Sequence, residues 1–440
     1  MPNKAYNNKL ITIFAAIALV ASIWHLSYHF GQKDFFSFWP FYGLSFLGWA
    51  ILFKSPLSGR QIFLIGLLTR LGLLMAFPAL SDDIYRFFWD GSLAYHGISP
   101  YGILPSEAVK LNVEGLNESL YQLLNSPQYF TIYPPISQLY FVISKWVGQD
   151  IVHTVIVMKI LFLITESSGY LFMLKLVKKF GYKPSTLALW FLNPLVIIEG
   201  IGNLHYEVVM ISFICISLYY IFNNKLIYGS FFFAFSIGVK LLPLMLLPYF
   251  WFHLKGRSKW IFFGTLSTFL MIIFIPVFGS IQLSTFMRSI DLYFRSFEFN
   301  ASIYYVLRYI GMEITSYNLI KYLGPVLGLT TIIAVFWWAK RTKNFSFPVF
   351  IHFGVVAWTC YLILATTVHP WYVITIVWLA SFSRYKLVLT WSFLIFISYI
   401  NYSYTVYYEN MYWIGLEYVL LFTCIGYELW SSRFLKNIRY

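Results

Sequence analysis

Charge is scarce in this sequence. Asp, Glu, Lys and Arg make up 11% of its 440 residues, where a soluble domain carries about one quarter. With 59% hydrophobic residues and a mean hydropathy of +0.69, that scarcity excludes a soluble fold and leaves a polytopic membrane protein. Cysteine is nearly absent: Cys215, Cys360 and Cys424 all lie inside apolar runs without metal-ligand spacing, so neither a disulfide framework nor a zinc site is supported. Internal repeats, low-complexity tracts and a separate soluble domain are lacking too. What is present is apolar sequence nearly end to end, enough for about a dozen crossings at roughly twenty residues each. The expectation is therefore an all-α fold, a single integral membrane domain over residues 1–440 with about 12–14 membrane segments, several of them short or re-entrant.

Acidic residues are rarer than basic ones, 17 against 31, giving a formal charge of +14. The basic residues form no continuous stripe of the kind that binds nucleic acid. They sit in short connectors: KSPLSGR (Lys54 to Arg60), KLVKKFGYKP (Lys175 to Pro184), HLKGRSK (His253 to Lys259), KRTK (Lys340 to Lys343), RYK (Arg384 to Lys386) and the C-terminal SSRFLKNIRY. The positive-inside rule puts these connectors, and both termini, in the cytoplasm. The first run, Leu10 to Phe30, reads as an uncleaved anchor because it is too long for a signal peptide. Leu10 to Phe30, Phe35 to Phe53 and Gln61 to Leu80 read as the first three spans, followed by a large extracytoplasmic loop over residues 81–132. The segment Tyr133 to Gly148 begins and ends outside, and is expected to be re-entrant or to lie along the surface.

The scarce acidic residues then fall mostly on the outer face. The stretch SDDIYRFFWDG opens the large loop with Asp82, Asp83 and Asp90, with Arg86 and Tyr85 between them. On a helix Asp82, Arg86 and Asp90 would share one face. Adjacent carboxylates among aromatic rings at a membrane boundary are costly, and a solvated interfacial helix needs no such pair. Partial desolvation raises a carboxylate pKa and suits a general base. NPLVIIEGIGNLHYE carries Glu199, Asn203, His205 and Glu207 between short apolar runs. GVKLLPLMLLP places Lys240 between two more, where a lysine costs about 2.5 kcal/mol or more to insert. FEFNASIYYVLR brings Glu298, Asn300 and Arg308 to the same side, and VHPWY adds His369 and Trp371 at a helix break. Carboxylates and cations together suit a reaction in which a hydroxyl attacks while a phosphate leaves.

The ordered set DDIYRFFWDG…HGISPYG, YPPIS, NPLVIIEGIGNLHYE, VKLLPLMLLP, FNASIYYVLR and VHPWY, from Leu80 to Tyr372, resembles the GT-C membrane glycosyltransferases. The resemblance is particularly to the bacterial polyprenyl-phosphate-hexose-dependent enzymes and the related mannosyltransferase of glycosylphosphatidylinositol synthesis. The resemblance implies a GT-C bundle in a bacterial plasma membrane with its active site on the extracytoplasmic face. It implies transfer of a hexose, mannose by expectation, from a polyprenyl-phosphate-linked donor to a glycolipid or glycan acceptor with inversion. No cofactor is implied, and a divalent-metal requirement is left open. An acidic residue of the first large loop is the implied base, which carries onto Asp82 or Asp83, with Asp82 slightly favoured. Lys240, Arg308, His369 and, alternatively, Arg86 are expected at the donor phosphate. Tyr85, Asp90, Glu199, Asn203, His205, Glu207, Asn300 and Trp371 are expected around the substrates. Three spans before the acidic motif, where many relatives have one, depart from the simplest layout. The alternative from another class is a transporter or flippase for a lipid-linked glycan, whose polar residues would spread through the midplane.

Overall fold

The computed structural model describes residues 2–383 and 387–437; the RYK connector and the last three residues of the C-terminal basic stretch lie outside them. Among the described residues the chain is helical throughout, and its one extended pairing is an isolated parallel bridge between Phe299 and Thr367. Among the described residues five helices are long and apolar enough to cross a membrane: Lys9–His29 within α1 (Pro2–His29), α2 (Phe35–Lys54), Ile151–Lys179, Ile320–Arg341 and Phe347–Leu364. A sixth crossing results if Ser185–Phe191 and Pro194–Gly202, bent by 49°, count as one span. The remaining apolar runs fold as shorter helices, among them Glu207–Ile221 and Leu226–Val239. Large apolar side chains such as Val326, Leu329 and Ile333 stay exposed on the long helices, as contact with lipid requires.

The third apolar run does not continue as a helix to Leu80. Helix α3 (Gly59–Leu71) stops early, and the chain turns through residues 72–80 instead. Two buried side chains from elsewhere satisfy the backbone that the lost helix leaves open. Lys159 donates to the carbonyls of Leu73 and Ala76 at 3.0 and 2.6 Å. The Asn203 side-chain carbonyl accepts from the amides of Ala79 and Leu80 at 3.2 and 3.0 Å. Beside this turn, Arg70 pairs with Glu166 at 2.8 Å with both side chains fully buried. The break matters because it delivers Asp82 and Asp83 to the start of a new helix, α4 (Asp83–Tyr95).

The YPPIS segment forms α5 (Pro135–Gly148), which packs between α4, α6 (Ile151–Lys179) and the helix Leu226–Val239. At about 1.5 Å per residue its fourteen residues are too short to cross a membrane. Phe87 of α4 stacks on Phe141 of α5 with centroids 4.6 Å apart. Gly91 makes that approach possible, since a Cβ there would come within 2.7 Å of the Phe141 carbonyl oxygen. Gly91→Ala should therefore push α4 off α5 and lower stability by about 1–3 kcal/mol, as overpacking does. Thermal unfolding of the purified variant in detergent measures this, and an unchanged midpoint would show that the two helices separate freely.

Candidate active site

Asp82 and Asp83 differ in setting. Asp82 occupies the N-cap position of α4 with ψ of 3°, caps nothing with its side chain, and is exposed. Its carboxyl is raised above the ordinary range by partial desolvation and then by the charge of Asp83. Asp83 is the first helical residue, and its side chain is 20% exposed. Asn125 donates to it at 2.8 Å from the far end of the loop. Burial raises the Asp83 carboxyl, against lowering by Asn125, Lys240, the Tyr133 hydroxyl and Arg86.

The turn between Pro194–Gly202 and α7 (Glu207–Ile221) brings three further groups to Asp83. Residues Ile198–Gly202 wind as a single wide π-turn, and Leu204 adopts a left-handed φ of 62°, a conformation a leucine takes only when its surroundings enforce it. The combination turns His205 back toward Glu199. Its Nδ1 lies 2.9 Å from the Glu199 carbonyl oxygen and 3.1 Å from Glu199 Oε2. Its Nε2 faces Asp83 Oδ2 at 4.0 Å. The other oxygen of Glu199 accepts from the Tyr399 hydroxyl at 2.7 Å. All of this lies in the interior: Glu199 and Glu207 are fully buried, and His205 is 2% exposed.

Four rings wall the site. His205 stacks on Trp371 at 3.7 Å, Trp371 on His369 at 4.3 Å, and His369 on Phe299 at 4.5 Å. The bridge between Phe299 and Thr367 fixes the outer end of this stack. Lys240, at the C-cap of α8 (Leu226–Val239), leaves the helix in extended conformation and pairs with Glu207 while its Nζ lies 5.5 Å over the Tyr372 ring. Asp83, Glu199, His205, Glu207, Lys240, His369 and Trp371 thus form one connected group. A carboxylate, a cation and an aromatic wall adjoin one another.

The other sequence-derived candidates have different settings. Asp82, Arg86 and Asp90 do not act as one stripe, because Asp82 precedes the first helical turn. Arg86 reaches forward to Asp90 at 2.8 Å and to the carbonyls of Ser126 and Tyr129 at 3.2 and 2.9 Å. Asp90 also accepts from Gln138 at 3.0 Å, so this buried pair ties the large loop to α4 and α5. Asn203 is spent on the turn before Leu80. Asn300, with φ of 45°, donates to the buried Glu417 at 3.2 Å, while its carbonyl accepts from Tyr418 at 2.7 Å. Arg308 pairs with Glu298 at 2.8 Å beside Tyr305 and Tyr304. Tyr85 is half-buried against Phe77.

Sequence reasoning missed Asn125, Tyr133 and Tyr399. Tyr133 opens the YPPIS segment and could have been found there. Nothing in the apolar run around Tyr399 distinguishes it. Among the described residues no three His, Cys, Asp or Glu side chains converge as a metal-binding group.

Residues 35–255 match a family model described as "Alpha-(1->6)-mannopyranosyltransferase, N-terminal domain". The chain is 26% identical over 182 residues to alpha-(1->6)-mannopyranosyltransferase A of Corynebacterium glutamicum, covering 40% of this chain and 35% of that protein. It is 24% identical over 232 residues to alpha-(1->6)-mannopyranosyltransferase A of Mycobacterium tuberculosis, covering 50% and 43%. The chain thus spans less than half the length of these curated relatives. No solved structure matches. The matched region holds Asp83, Asn125, Glu199, His205, Glu207 and Lys240, while His369, Trp371 and Tyr399 come from outside it.

Proposed function

The chain belongs to the family of the alpha-(1->6)-mannopyranosyltransferase N-terminal domain, and from that premise we propose that it is a membrane mannosyltransferase. In this reading it takes mannose from a polyprenyl-phosphate-linked donor and gives it, with inversion, to a hydroxyl of a lipid-linked or extracytoplasmic glycan. The observation that supports it most is that Asp83, with His205 at 4.0 Å, lies within reach of the charge of Lys240, which pairs with Glu207, since displacement of a phosphate by a hydroxyl needs a base and a cation in one place.

Asp83 removes the proton from the acceptor hydroxyl as its oxygen bonds to the anomeric carbon of mannose. The bond from that carbon to the phosphate oxygen breaks on the opposite face, which inverts the configuration. Lys240 offsets the charge on the departing phosphate, and His369, which burial and the Lys240 charge keep neutral, can only donate a hydrogen bond to it. That leaving group is already a weak base, so a second carboxyl acting as acid is unnecessary. Trp371 is stacked between the two histidines, so it offers the sugar only its partly exposed edge. A lipid-linked donor suits a site framed by helices whose outer faces are apolar.

Purified protein should transfer mannose from a polyprenyl-phosphate-linked donor and not from a nucleotide-linked one, read as a hexose mass added to an acceptor lipid. Transfer from the nucleotide-linked donor alone would overturn the donor class. The extracytoplasmic placement is tested separately. With Cys215, Cys360 and Cys424 replaced, a cysteine at the exposed position Asn112 should react with an impermeant reagent in whole cells, and one at the exposed Ser258 should not. The opposite pattern would put the site on the cytoplasmic side.

A further inference from the structure

We propose that Asp83, His205 and Glu199 form a proton relay, in which His205 takes from Asp83 the proton that Asp83 has removed from the acceptor hydroxyl. The inference rests on the reading of Asp83 as the base. It starts from the hydrogen bonding of His205. A backbone carbonyl can only accept, and the Glu199 carbonyl oxygen lies 2.9 Å from Nδ1. Nδ1 therefore carries the proton of the neutral ring, and Nε2 presents its lone pair. That lone pair is buried, has no hydrogen-bond partner among the described residues, and faces Asp83 Oδ2 at 4.0 Å. A carboxylate and an imidazole lone pair turned toward each other are two acceptors that lack the proton to join them. The acceptor hydroxyl supplies that proton.

Burial and the nearby charge of Lys240 work against the protonated ring that the transfer produces, and the hydrogen bond to Glu199 works for it. Once Nε2 is protonated the ring is a cation, and Glu199 Oε2 lies 3.1 Å from its Nδ1. Tyr399 holds the other oxygen of Glu199 at 2.7 Å, which fixes the carboxylate in place. Trp371, stacked at 3.7 Å, keeps the imidazole in the plane that aims Nε2 at Asp83. Rotation of the partly exposed Asp83 side chain closes the remaining gap, as such contacts commonly tighten only when substrate is bound. The step balances. The acceptor O–H bond breaks, its oxygen bonds to the anomeric carbon, and the electron pair of the broken C–O bond leaves with the phosphate. The proton passes to Asp83 and then to His205, and leaves with the phosphate product or to water. His205 is a positioning residue in this scheme, since it acts through Asp83.

The test is the pH dependence of kcat for the full chain in detergent. His205 is faced by Asp83 from α4, Glu199 from the π-turn, Lys240 from the end of α8 and His369 from the Pro370 turn, so the acid limb belongs to this group as a whole. His205→Gln, which keeps a polar atom near Nε2 but cannot take a proton, should lower kcat by about 10²-fold, within the range of a positioned proton acceptor, with donor affinity unchanged. Glu199→Gln keeps the size and the Tyr399 contact but removes the carboxyl that can ionise beside the imidazolium. It should lower kcat and move the acid limb to lower pH, which a purely structural role would not do. Near-normal kcat in His205→Gln, beside an inactive Asp83→Asn, would overturn the relay and leave Asp83 as the base. If His205→Gln fails to fold, an unmoved acid limb in Glu199→Gln overturns the relay instead. Normal turnover in Asp83→Asn would remove the base assignment, and the relay with it.

Discussion

Asp83→Asn should lose about 10² to 10⁴-fold in turnover, the contribution typical of a positioned general base, while still binding donor. Asp82→Asn should lose far less. The sequence leaned slightly toward Asp82, on the expectation that Arg86 shares its face. In the folded chain Arg86 is engaged by Asp90, Ser126 and Tyr129, and Asp82 is exposed at the N-cap. Asp83 instead meets Asn125 and His205 and feels the Lys240 charge. The pH dependence follows from the same contacts. A base works only as carboxylate, so activity is present above the Asp83 pKa and lost as pH falls through it. Burial raises that pKa above the ordinary aspartate range, and the loss should begin at a correspondingly higher pH. Asn125 lowers it, so Asn125→Ala should move the acid limb higher still. Equal turnover in Asp83→Asn and the unmodified protein would remove the base from this account.

Lys240→Met should have two separable consequences. The first is on stability. Glu207 is fully buried and paired with Lys240, and removing one member of a buried pair costs about 3–5 kcal/mol because the other charge is left uncompensated. The second is on donor use, where loss of a charge-assisted contact to phosphate costs about 1.5–3 kcal/mol, roughly ten- to a hundredfold in affinity. The double variant Lys240→Met with Glu207→Gln separates them, because it removes both charges. It should recover most of the thermal stability and none of the donor affinity. Recovery of donor affinity along with stability would confine Lys240 to holding Glu207.

The all-helical architecture and the principal motifs were legible because both rest on local composition. Long apolar runs, with charge confined to a few places, yield a membrane bundle, and DD, NLHYE, VK and VHPWY stood out as polar breaks in apolar surroundings. Their convergence on one site follows from that economy of polar residues. Details that depend on remote partners were not legible. The end of α3 at Leu71 depends on Lys159, more than eighty residues away, and on Asn203, more than one hundred and twenty away. Arg86 could not be assigned without knowing that α4 starts at Asp83, which breaks the apparent register with Asp82. Asn300 looked equivalent to His205 in the sequence, yet its partner Glu417 lies 117 residues on. Tyr399 looked like one more aromatic in an apolar run, although it holds Glu199 from 200 residues away.

The most direct measurement is a structure of the Asp83→Asn protein with a polyprenyl-phosphate-linked mannose bound. The account predicts the phosphate within hydrogen-bonding distance of Lys240, the mannose at the open edge of Trp371, and the face of the anomeric carbon opposite the phosphate open toward residue 83. A headgroup bound instead at Glu298 and Arg308, or on the basic connectors at the other end of the helices, would contradict it.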